Sequence, residues 1–217
     1  AEEIPLNWRK IFYKAYPRFP SIPLANSSIN GDINTLLMGR NSTREFSNEN
    51  LTFNELSNIL YWSSGLKRSA LYEFRNRMYP SAGARYPLEV YAVVHNTKNL
   101  SNGLYHFNLV DDSLEFIYDE NLNDDIRKII GANFFPNIGA TIVLTGVLSR
   151  TEVKYGQNSY RFALIESGHV GQNIHLVSES MGIGCCAIGG FDNDRLTKLL
   201  DIGGSEIPLY LFAIGRK

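Results

Sequence analysis

Cysteine is scarce in this sequence, and the scarcity excludes several classes of protein. The 217 residues include two cysteines, which stand next to each other as Cys185 and Cys186. Neighbouring cysteines rarely form a disulfide, so a disulfide-stabilised scaffold is excluded and a reducing cytoplasm is the expected location. The four histidines show no ligand spacing with the cysteines or with carboxylates, so no metal site is predicted.

The sequence also lacks a clear excess of positive or negative charge, and it lacks long apolar runs. Lysine and arginine total 21 and aspartate and glutamate total 22, which leaves a formal net charge of −1. A protein that binds nucleic acid or an anionic membrane generally needs a basic excess, so neither partner is expected. No apolar run reaches the ~20 residues that a membrane-spanning helix requires. The sequence also lacks the glycine-rich patterns of a Rossmann dinucleotide site and of a P-loop.

The length fits one domain with an extension at its N-terminal end. Residues 1–35 hold four of the eight prolines and are predicted to form an extended arm on the domain surface. Residues 36–217 contain no linker, internal repeat or low-complexity tract. We therefore expect one domain over that range.

Capping residues and periodicity predict most of the helices and strands. Thr52 and Glu55 form a capping box, which should start a helix that stops at Gly65. The run from Ala140 to Leu148 is rich in β-branched residues and predicts a strand buried on both faces. The other predicted elements are helices at 33–38, at 123–130 with Asn123 as its cap, at 157 or 159 to 181 and after Asp192, and strands at 88–94, 103–108, 114–118, 185–188 and 208–214.

The long helix that is predicted to end at residue 181 has a face of small residues. Ala163, Ser167, Gly171 and Ser178 share this face, and Gly168 lies beside it. Glycine within a helix costs up to ~1 kcal/mol relative to alanine, so the clustering indicates close approach of another helix backbone, within the subunit or across a dimer. The alternative is a helix that simply tolerates its glycines.

A loop of small residues precedes the strand predicted at 88–94. Ser81, Ala82 and Gly83 carry little side-chain bulk, so a flat ligand could lie against their backbone. Pro80 and Pro87 restrict the backbone at the two ends of the loop. The same composition also fits a strand-entry loop that packs closely against its surroundings, and residue types alone leave both interpretations open.

Basic residues occur just after the first predicted helix and at the end of the last strand. Arg40, Ser42 and Arg44 lie within five residues and could bind a phosphate and its polyol through charge-assisted hydrogen bonds. Arg216 follows an apolar strand that would fix it near the same anion. Solvated basic segments are the alternative interpretation of both stretches.

Two further segments could contribute to the same site. Ile188, Gly189 and Gly190 end a predicted strand, and the two glycines would let backbone N–H groups approach a ligand edge. Lys154 and Tyr155 lie on a predicted loop between the buried strand and the long helix, where they could act as an acid and a base. A surface lysine beside a packing tyrosine is the alternative.

Together these segments resemble the nitroreductase superfamily of FMN-dependent oxidoreductases. They look most like its SagB-type dehydrogenase branch, which oxidises azoline rings in ribosomal peptide natural products. The resemblance covers roughly residues 36–217, with the motifs in the expected order. The motifs that carry it are 40–44, 80–89, 103–106, 150–151, 154–156, 160–161, Glu166, 168–170, 172–173, 182–191 and 208–211.

The resemblance implies an α+β fold: a three-layer sandwich with a mainly antiparallel sheet flanked by helices. It also implies an intertwined homodimer with FMN bound between the subunits. The residues implied for FMN are Arg40, Ser42, Arg44 and Arg216 at the phosphate, ribityl chain and pyrimidine edge, Pro80, Ser81, Ala82 and Gly83 of the partner subunit along the ring, and Ile188, Gly189 and Gly190 near flavin N5. Asn41 departs from the arginine or histidine usual in such proteins.

For this branch, the resemblance implies that Lys154 or Tyr155 takes a proton from a thiazoline or oxazoline in a peptide while hydride passes to FMN. The resemblance leaves two other functions open. One is a general NAD(P)H-dependent nitro- or quinone reductase that acts on small molecules. The other is a flavin-binding scaffold subunit that works within a cyclodehydratase complex.

Overall fold

An antiparallel sheet of seven strands forms the centre of the computed structural model, which describes residues 12–25, 27–29, 31–68, 76–118, 121–131 and 135–217. The strand order across the sheet is β1-β6-β5-β3-β7-β9-β8, and a separate parallel pair joins β2 to β4. The strands are β1 (Ser21–Pro23), β2 (Leu51–Thr52), β3 (Leu88–Val94), β4 (Thr97–Lys98), β5 (Gly103–Asn108), β6 (Ser113–Tyr118), β7 (Ala140–Val147), β8 (Ile183–Ile188) and β9 (Glu206–Arg216).

Helices cover both faces of this sheet. Among the described residues, no helix is both long enough and apolar enough to span a bilayer. The α-helices are α1 (Ile33–Gly39), α2 (Phe53–Ser64), α3 (Asn123–Ile130), α4 (Ser149–Tyr155), α5 (Ser159–Ser180) and α6 (Asn193–Leu199), and short 3₁₀ turns lie at Ala82–Ala84 and Gly156–Asn158.

Alternation along the strands separates two hydrophobic cores. On β3, Val90 faces the first core, which the apolar sides of α2 and α5 complete. The next residue, Tyr91, faces the second core, where Ile126 of α3 and Leu196 of α6 pack. Because both faces are covered, β3 is buried along its whole length. These layers confirm the predicted α+β sandwich.

The predicted capping box is present and starts α2. Thr52 N donates to Glu55 Oε2 at 2.9 Å, and Glu55 N donates to Thr52 Oγ1 at 3.3 Å. The helix ends at Gly65, as expected. The predictions for β3, for the hairpin of β5 and β6 and for the buried strand β7 are confirmed as well, with bounds that differ by at most one residue.

Two local predictions were wrong. Leu122, not Asn123, is the N-cap of α3, and it makes no side-chain cap hydrogen bond. Residues 149–155 form the helix α4 instead of a loop. At the small-residue face of α5, an added Cβ on Gly171 would lie 2.8 Å from Phe212 Cζ, so an aromatic ring fills the space beside this glycine. Close approach of a helix backbone across a dimer stays a prediction.

The N-terminal arm contributes to the sheet from residue 21 onward. Residues 21–23 form β1, the outer strand beside β6. Before it, Lys14 Nζ donates to Glu206 Oε2 at 2.5 Å, and Tyr16 N donates to Glu115 Oε1 at 2.9 Å. Residues 1–11 lie outside the described residues, and the domain boundary at residue 36 stays a prediction.

Candidate functional site

A small cavity lies where β8 ends, and it brings together four of the predicted cofactor residues. Its volume is about 170 Å³. No atom of the described residues lies within 4 Å of where a Cβ would stand on Gly189 or Gly190, so the backbone there is open to a ligand. The cavity is lined by Arg44, Phe135, Cys186, Ala187, Ile188, Gly189 and Gly190.

Backbone hydrogen bonds hold the segment of Arg40, Ser42 and Arg44 beside this cavity. Thr43 N donates to Cys185 O at 2.9 Å, and Ser47 N donates to the carbonyl oxygen of residue 216 at 3.0 Å. The segment therefore runs along the ends of β8 and β9. The side chains of Ser42 and Arg44 are exposed and that of Arg40 is partly buried, so all three remain available to a ligand.

Arg216 pairs with a carboxylate at the other end of this segment. Its Nη2 lies 2.7 Å from Glu55 Oε1, and its Nε is buried without a hydrogen-bond partner among the described residues. Glu55 also belongs to the capping box of α2, where it accepts a hydrogen bond from Thr52 N, so it fixes the guanidinium relative to that helix. A shared anion for Arg40 and Arg216 stays a prediction.

The turn from Pro80 to Gly83 forms a second group, beside the start of β3. Ser81 Oγ donates to Glu166 Oε1 at 2.8 Å and accepts a hydrogen bond from Tyr86 N at 2.8 Å. Ala82 N donates to the same Glu166 oxygen at 3.1 Å. Gly83 adopts φ +58°, a left-handed conformation that suits glycine. These contacts hold the turn in a defined shape within one chain.

Lys154 and Tyr155 lie against the open side of Gly83. A Cβ atom on Gly83 would stand 2.6 Å from Tyr155 Oη and 2.8 Å from Lys154 Nζ. Lys154 Nζ also lies 5.4 Å from the centre of the Tyr155 ring. The absence of a side chain at residue 83 therefore creates the space in which Lys154 Nζ and Tyr155 Oη come together.

The helix that carries these two side chains is anchored by a buried ion pair. Arg150 Nη1 lies 2.5 Å from Glu89 Oε1, and Arg85 Nε donates to Arg150 O at 2.9 Å. Burial opposes ionisation of Glu89, but the hydrogen bond from His106 and the charge of Arg150 outweigh it and lower the pKa of Glu89 to about 2. The carboxylate therefore stays charged and keeps α4 attached to the sheet.

A chain of buried polar groups extends this anchor across the sheet. His106 Nε2 lies 2.9 Å from Glu89 Oε2, and His106 Nδ1 lies 2.8 Å from Glu115 Oε2. Burial lowers the pKa of His106, but the two carboxylates outweigh this effect and raise it above its ordinary value. The sequence analysis named His106 only as part of a matching motif. A histidine within a mostly apolar predicted strand was the signal that could have indicated a buried polar contact.

Glu166 on α5 is absent from the predicted site residues, although it belongs to one of the matching motifs. Its side chain is 2% exposed, and its Oε2 has no hydrogen-bond partner among the described residues. Burial raises the pKa of this carboxyl to about 7, against the opposing effect of the hydrogen bonds from Ser81 and Ala82. The available signal was a glutamate on a helix face of small and apolar residues.

The cavity at Gly189 and the turn at Gly83 are separated within one chain. The cavity at Gly189 adjoins β8, which is the outer strand, whereas the turn at Gly83 precedes β3. Strands β9 and β7 lie between them, and three strand spacings amount to roughly 14 Å. Within one chain, the cavity and the turn are therefore separate candidate sites, and their joining into one site across a dimer stays a prediction. In the described ranges, no cluster of three or more histidine, cysteine, aspartate or glutamate side chains could hold a metal ion.

Comparison with known proteins matches most of the chain to one family. A model of the nitroreductase family matches residues 37–216. A protein of Methanocaldococcus jannaschii that is named as a nitroreductase, MJ1384, is 32% identical over 183 residues, which are 84% of this chain and 89% of that protein.

A second relative and one solved structure come from the microcin system of Escherichia coli. The microcin B17-processing protein McbC is 29% identical over 133 residues, or 58% of this chain, and the match spans about half (48%) of McbC. A chain in the microcin synthetase McbBCD complex, solved with truncated pro-MccB17 bound, aligns with a TM-score of 0.71 and 22% identity over 100% of this chain and 84% of that chain. This structural similarity shows a shared fold.

Proposed function

This chain belongs to the nitroreductase family, and from that premise we propose that it is an FMN-dependent dehydrogenase that oxidises thiazoline or oxazoline rings of a peptide to azoles. One observation carries the choice of reaction. The amine of Lys154 and the phenol of Tyr155 converge at the open face of Gly83, beside the turn assigned to the flavin ring. The similarity to McbC, a microcin B17-processing protein, favours a peptide as the substrate.

The residues at and beside the cavity fit FMN. The uncovered backbone at Gly189 and Gly190 allows a flat ring to approach closely, and the exposed guanidinium of Arg44 lines the same cavity. Arg40 and Ser42, on the segment beside it, offer a cation and a hydroxyl for a phosphate and its polyol chain. Ile188 lines the cavity wall, and Arg216, fixed by Glu55, would add positive charge nearby.

The proposed oxidation removes two hydrogens from the azoline and forms a ring double bond. Bound FMN would supply the acceptor for the hydride that leaves one ring carbon. Lys154 or Tyr155 takes the proton that leaves the neighbouring α-carbon, since both polar atoms reach the same space over Gly83. Glu89 and Arg150 hold α4 in place while this proton is transferred.

A homodimer would bring the two candidate sites of different chains together. Tyr160, Leu164 and Ile165 on α5 are between 41% and 50% exposed, and Val153 on α4 is 45% exposed. A cluster of exposed apolar side chains of this kind is typical of a protein interface. In the proposed dimer, Pro80, Ser81, Ala82 and Gly83 of one subunit line the ring bound at Gly189 of the other. A reducing cytoplasm stays the proposed location.

The test of the proposed reaction is a change of mass. The purified protein, supplied with FMN and an azoline-containing peptide under air, should produce a peptide lighter by about 2 Da for each oxidised ring. Lys154→Ala should abolish this change, whereas Lys198→Ala, at an exposed lysine on α6, should leave it intact. If the peptide loses no mass, or if Lys154→Ala retains full turnover, the assignment as an azoline dehydrogenase is wrong.

A general NAD(P)H-dependent reductase of nitro compounds or quinones is the second candidate function. The similarity to MJ1384, which is named as a nitroreductase, favours it. Rapid bleaching of the bound flavin by NADPH, followed by reoxidation with a nitroaromatic compound, would support this function over the dehydrogenase. A flavin-binding scaffold within a cyclodehydratase complex is the third, and it predicts oxidation only after the partner subunits are added.

A further inference from the structure

Glu166 is linked to the Ser81–Gly83 turn by two hydrogen bonds and has no part in the reaction described above. Both donors, Ser81 Oγ and Ala82 N, meet the same oxygen, Oε1, at 2.8 and 3.1 Å. The other oxygen is buried and has no hydrogen-bond partner among the described residues. An ionised carboxylate is stable in such a place only when its oxygens are well solvated or hydrogen-bonded. The burial of Oε2 without a partner therefore favours the neutral acid whenever the turn is closed, and it outweighs the two donors at Oε1, which favour the ionised form.

We propose that Glu166 is a positioning residue that sets the pH range in which the Ser81–Gly83 turn keeps the shape required to bind flavin. This inference rests on the proposed function, because it assumes that the turn contacts the flavin ring. In the observed conformation the turn covers Glu166, which is 2% exposed. Ionisation favours conformations that admit water to the carboxylate, so it should open the turn.

The direction of the pH effect follows from linkage. Burial raises the pKa of Glu166 to about 7 when the turn is closed, from an ordinary value of 4.5. The closed turn is therefore favoured at low pH, and its population falls as the pH rises through about 7. Because the apparent affinity of a ligand scales with the competent fraction of the protein, FMN should bind more weakly at high pH.

The charged and titratable groups around Glu166 determine whether its ionisation can be told apart from theirs. The hydroxyls of Tyr79 and Tyr86 have pKa values raised by burial, so they stay neutral in the range in question. The guanidinium of Arg77 lowers the pKa of Glu166. Among the described residues, the charged or titratable groups that these contacts place beside Glu166 or its turn are Arg77, Tyr79, Tyr86, Lys154 and Tyr155.

The experiment compares FMN binding by the apoprotein and its variants through quenching of FMN fluorescence. Between about pH 6 and about pH 8.5, the affinity of the wild type for FMN should fall at least about threefold, because ionisation of Glu166 opens the turn. Glu166→Gln keeps the Oε1 acceptor but cannot ionise, so it should bind more tightly than wild type at the upper end. Asp125→Asn, at an exposed carboxylate on α3, should follow the wild-type curve. Ionisation of the FMN phosphate affects all variants alike.

A second variant keeps the test decisive if Glu166→Gln fails to fold. Ser81→Ala removes a donor that favours the ionised form, so the fall in affinity should move to higher pH. Parallel curves for the wild type and Glu166→Gln, or an unshifted curve for Ser81→Ala, would overturn the positioning role. If the wild type binds no FMN at any pH, the proposed function fails and this inference with it. Divergent curves without azoline oxidation would support the positioning role and refute the dehydrogenase alone.

Discussion

The substitution Gly83→Ala tests whether the space over the turn determines the positions of Lys154 and Tyr155. The new Cβ would stand 2.6 Å from Tyr155 Oη and 2.8 Å from Lys154 Nζ. Non-bonded heavy atoms pack at about 3.5 Å, so the two polar groups must retreat by roughly 0.7 to 0.9 Å. Tyr155 Oη and Lys154 Nζ would then no longer meet over residue 83.

Two separate losses should follow from this substitution. Alanine at φ +58° should lower the free energy of unfolding by about 1–2 kcal/mol, because a Cβ is disfavoured in the left-handed conformation. Displacement of a reacting group by close to 1 Å should reduce turnover on the order of 100-fold. The first loss reflects the backbone alone, and the second reflects the contacts with Lys154 and Tyr155.

Gly182→Ala is the matched control for the backbone effect. Gly182 also has a positive φ, +68°, but no atom of the described residues lies within 4 Å of its Cβ position. The variant Gly182→Ala should therefore lose about 1–2 kcal/mol of its free energy of unfolding, as Gly83→Ala does, but it should keep the turnover of the wild type. Urea denaturation measures the first quantity, and the rate of the 2-Da mass loss at saturating FMN measures the second.

The reasoning about the site is refuted if Gly83→Ala oxidises the azoline peptide as fast as the parent. In that case the side chains of Lys154 and Tyr155 need not occupy their observed positions. A loss of turnover in Gly182→Ala as large as that in Gly83→Ala would also refute it, since strain alone would then explain both results.

Three further changes probe the fold around the site. Arg150→Met leaves Glu89 buried without its cation and should lower the free energy of unfolding in urea by about 3–5 kcal/mol; a loss below about 1 kcal/mol would contradict the anchoring role. Gly171→Ala places a methyl group against the ring of Phe212 and should cost about 1–3 kcal/mol by calorimetry, whereas an unchanged melting temperature would show that the ring can move. Between pH 4.5 and about 8, the free energy of unfolding of the wild type should fall by about 3 kcal/mol relative to that of Glu166→Gln. The stabilisation by the neutral acid is complete below pH 4.5 and is lost as the pH rises through about 7. Parallel curves of stability against pH for the two proteins would exclude this contribution of Glu166.

The elements that could be predicted from the sequence are those with local causes. The capping box of Thr52 and Glu55 lies within four residues, and both of its hydrogen bonds form in the structure. The alternation of β3 and the β-branched run of β7 likewise depend on near neighbours. The three-layer arrangement itself was reached through the resemblance to a family, since periodicity does not determine the order of seven strands.

The wrong prediction for residues 149–155 and the missed contact of Glu166 have causes that are distant in sequence. Helix α4 has seven residues and no side-chain cap, so it carries little local signal. It is held in place by the contact of Arg150 with Glu89, 61 positions away. The contact of Glu166 with Ser81 spans 85 positions, and no local pattern indicates it. Similarly, the space beside Gly171 is set by Phe212 on β9, which one-dimensional periodicity cannot show.

The separation of the cavity at Gly189 from the turn at Gly83 has a genetic consequence for the proposed dimer. A subunit damaged at Arg44 and a subunit damaged at Lys154 would each be inactive when paired with its own kind. Mixed pairs would combine one doubly damaged site with one intact site, so co-expression should restore about a quarter of the wild-type sites under random pairing. Such complementation between two inactive alleles would indicate that neighbouring chains contribute residues to one catalytic centre.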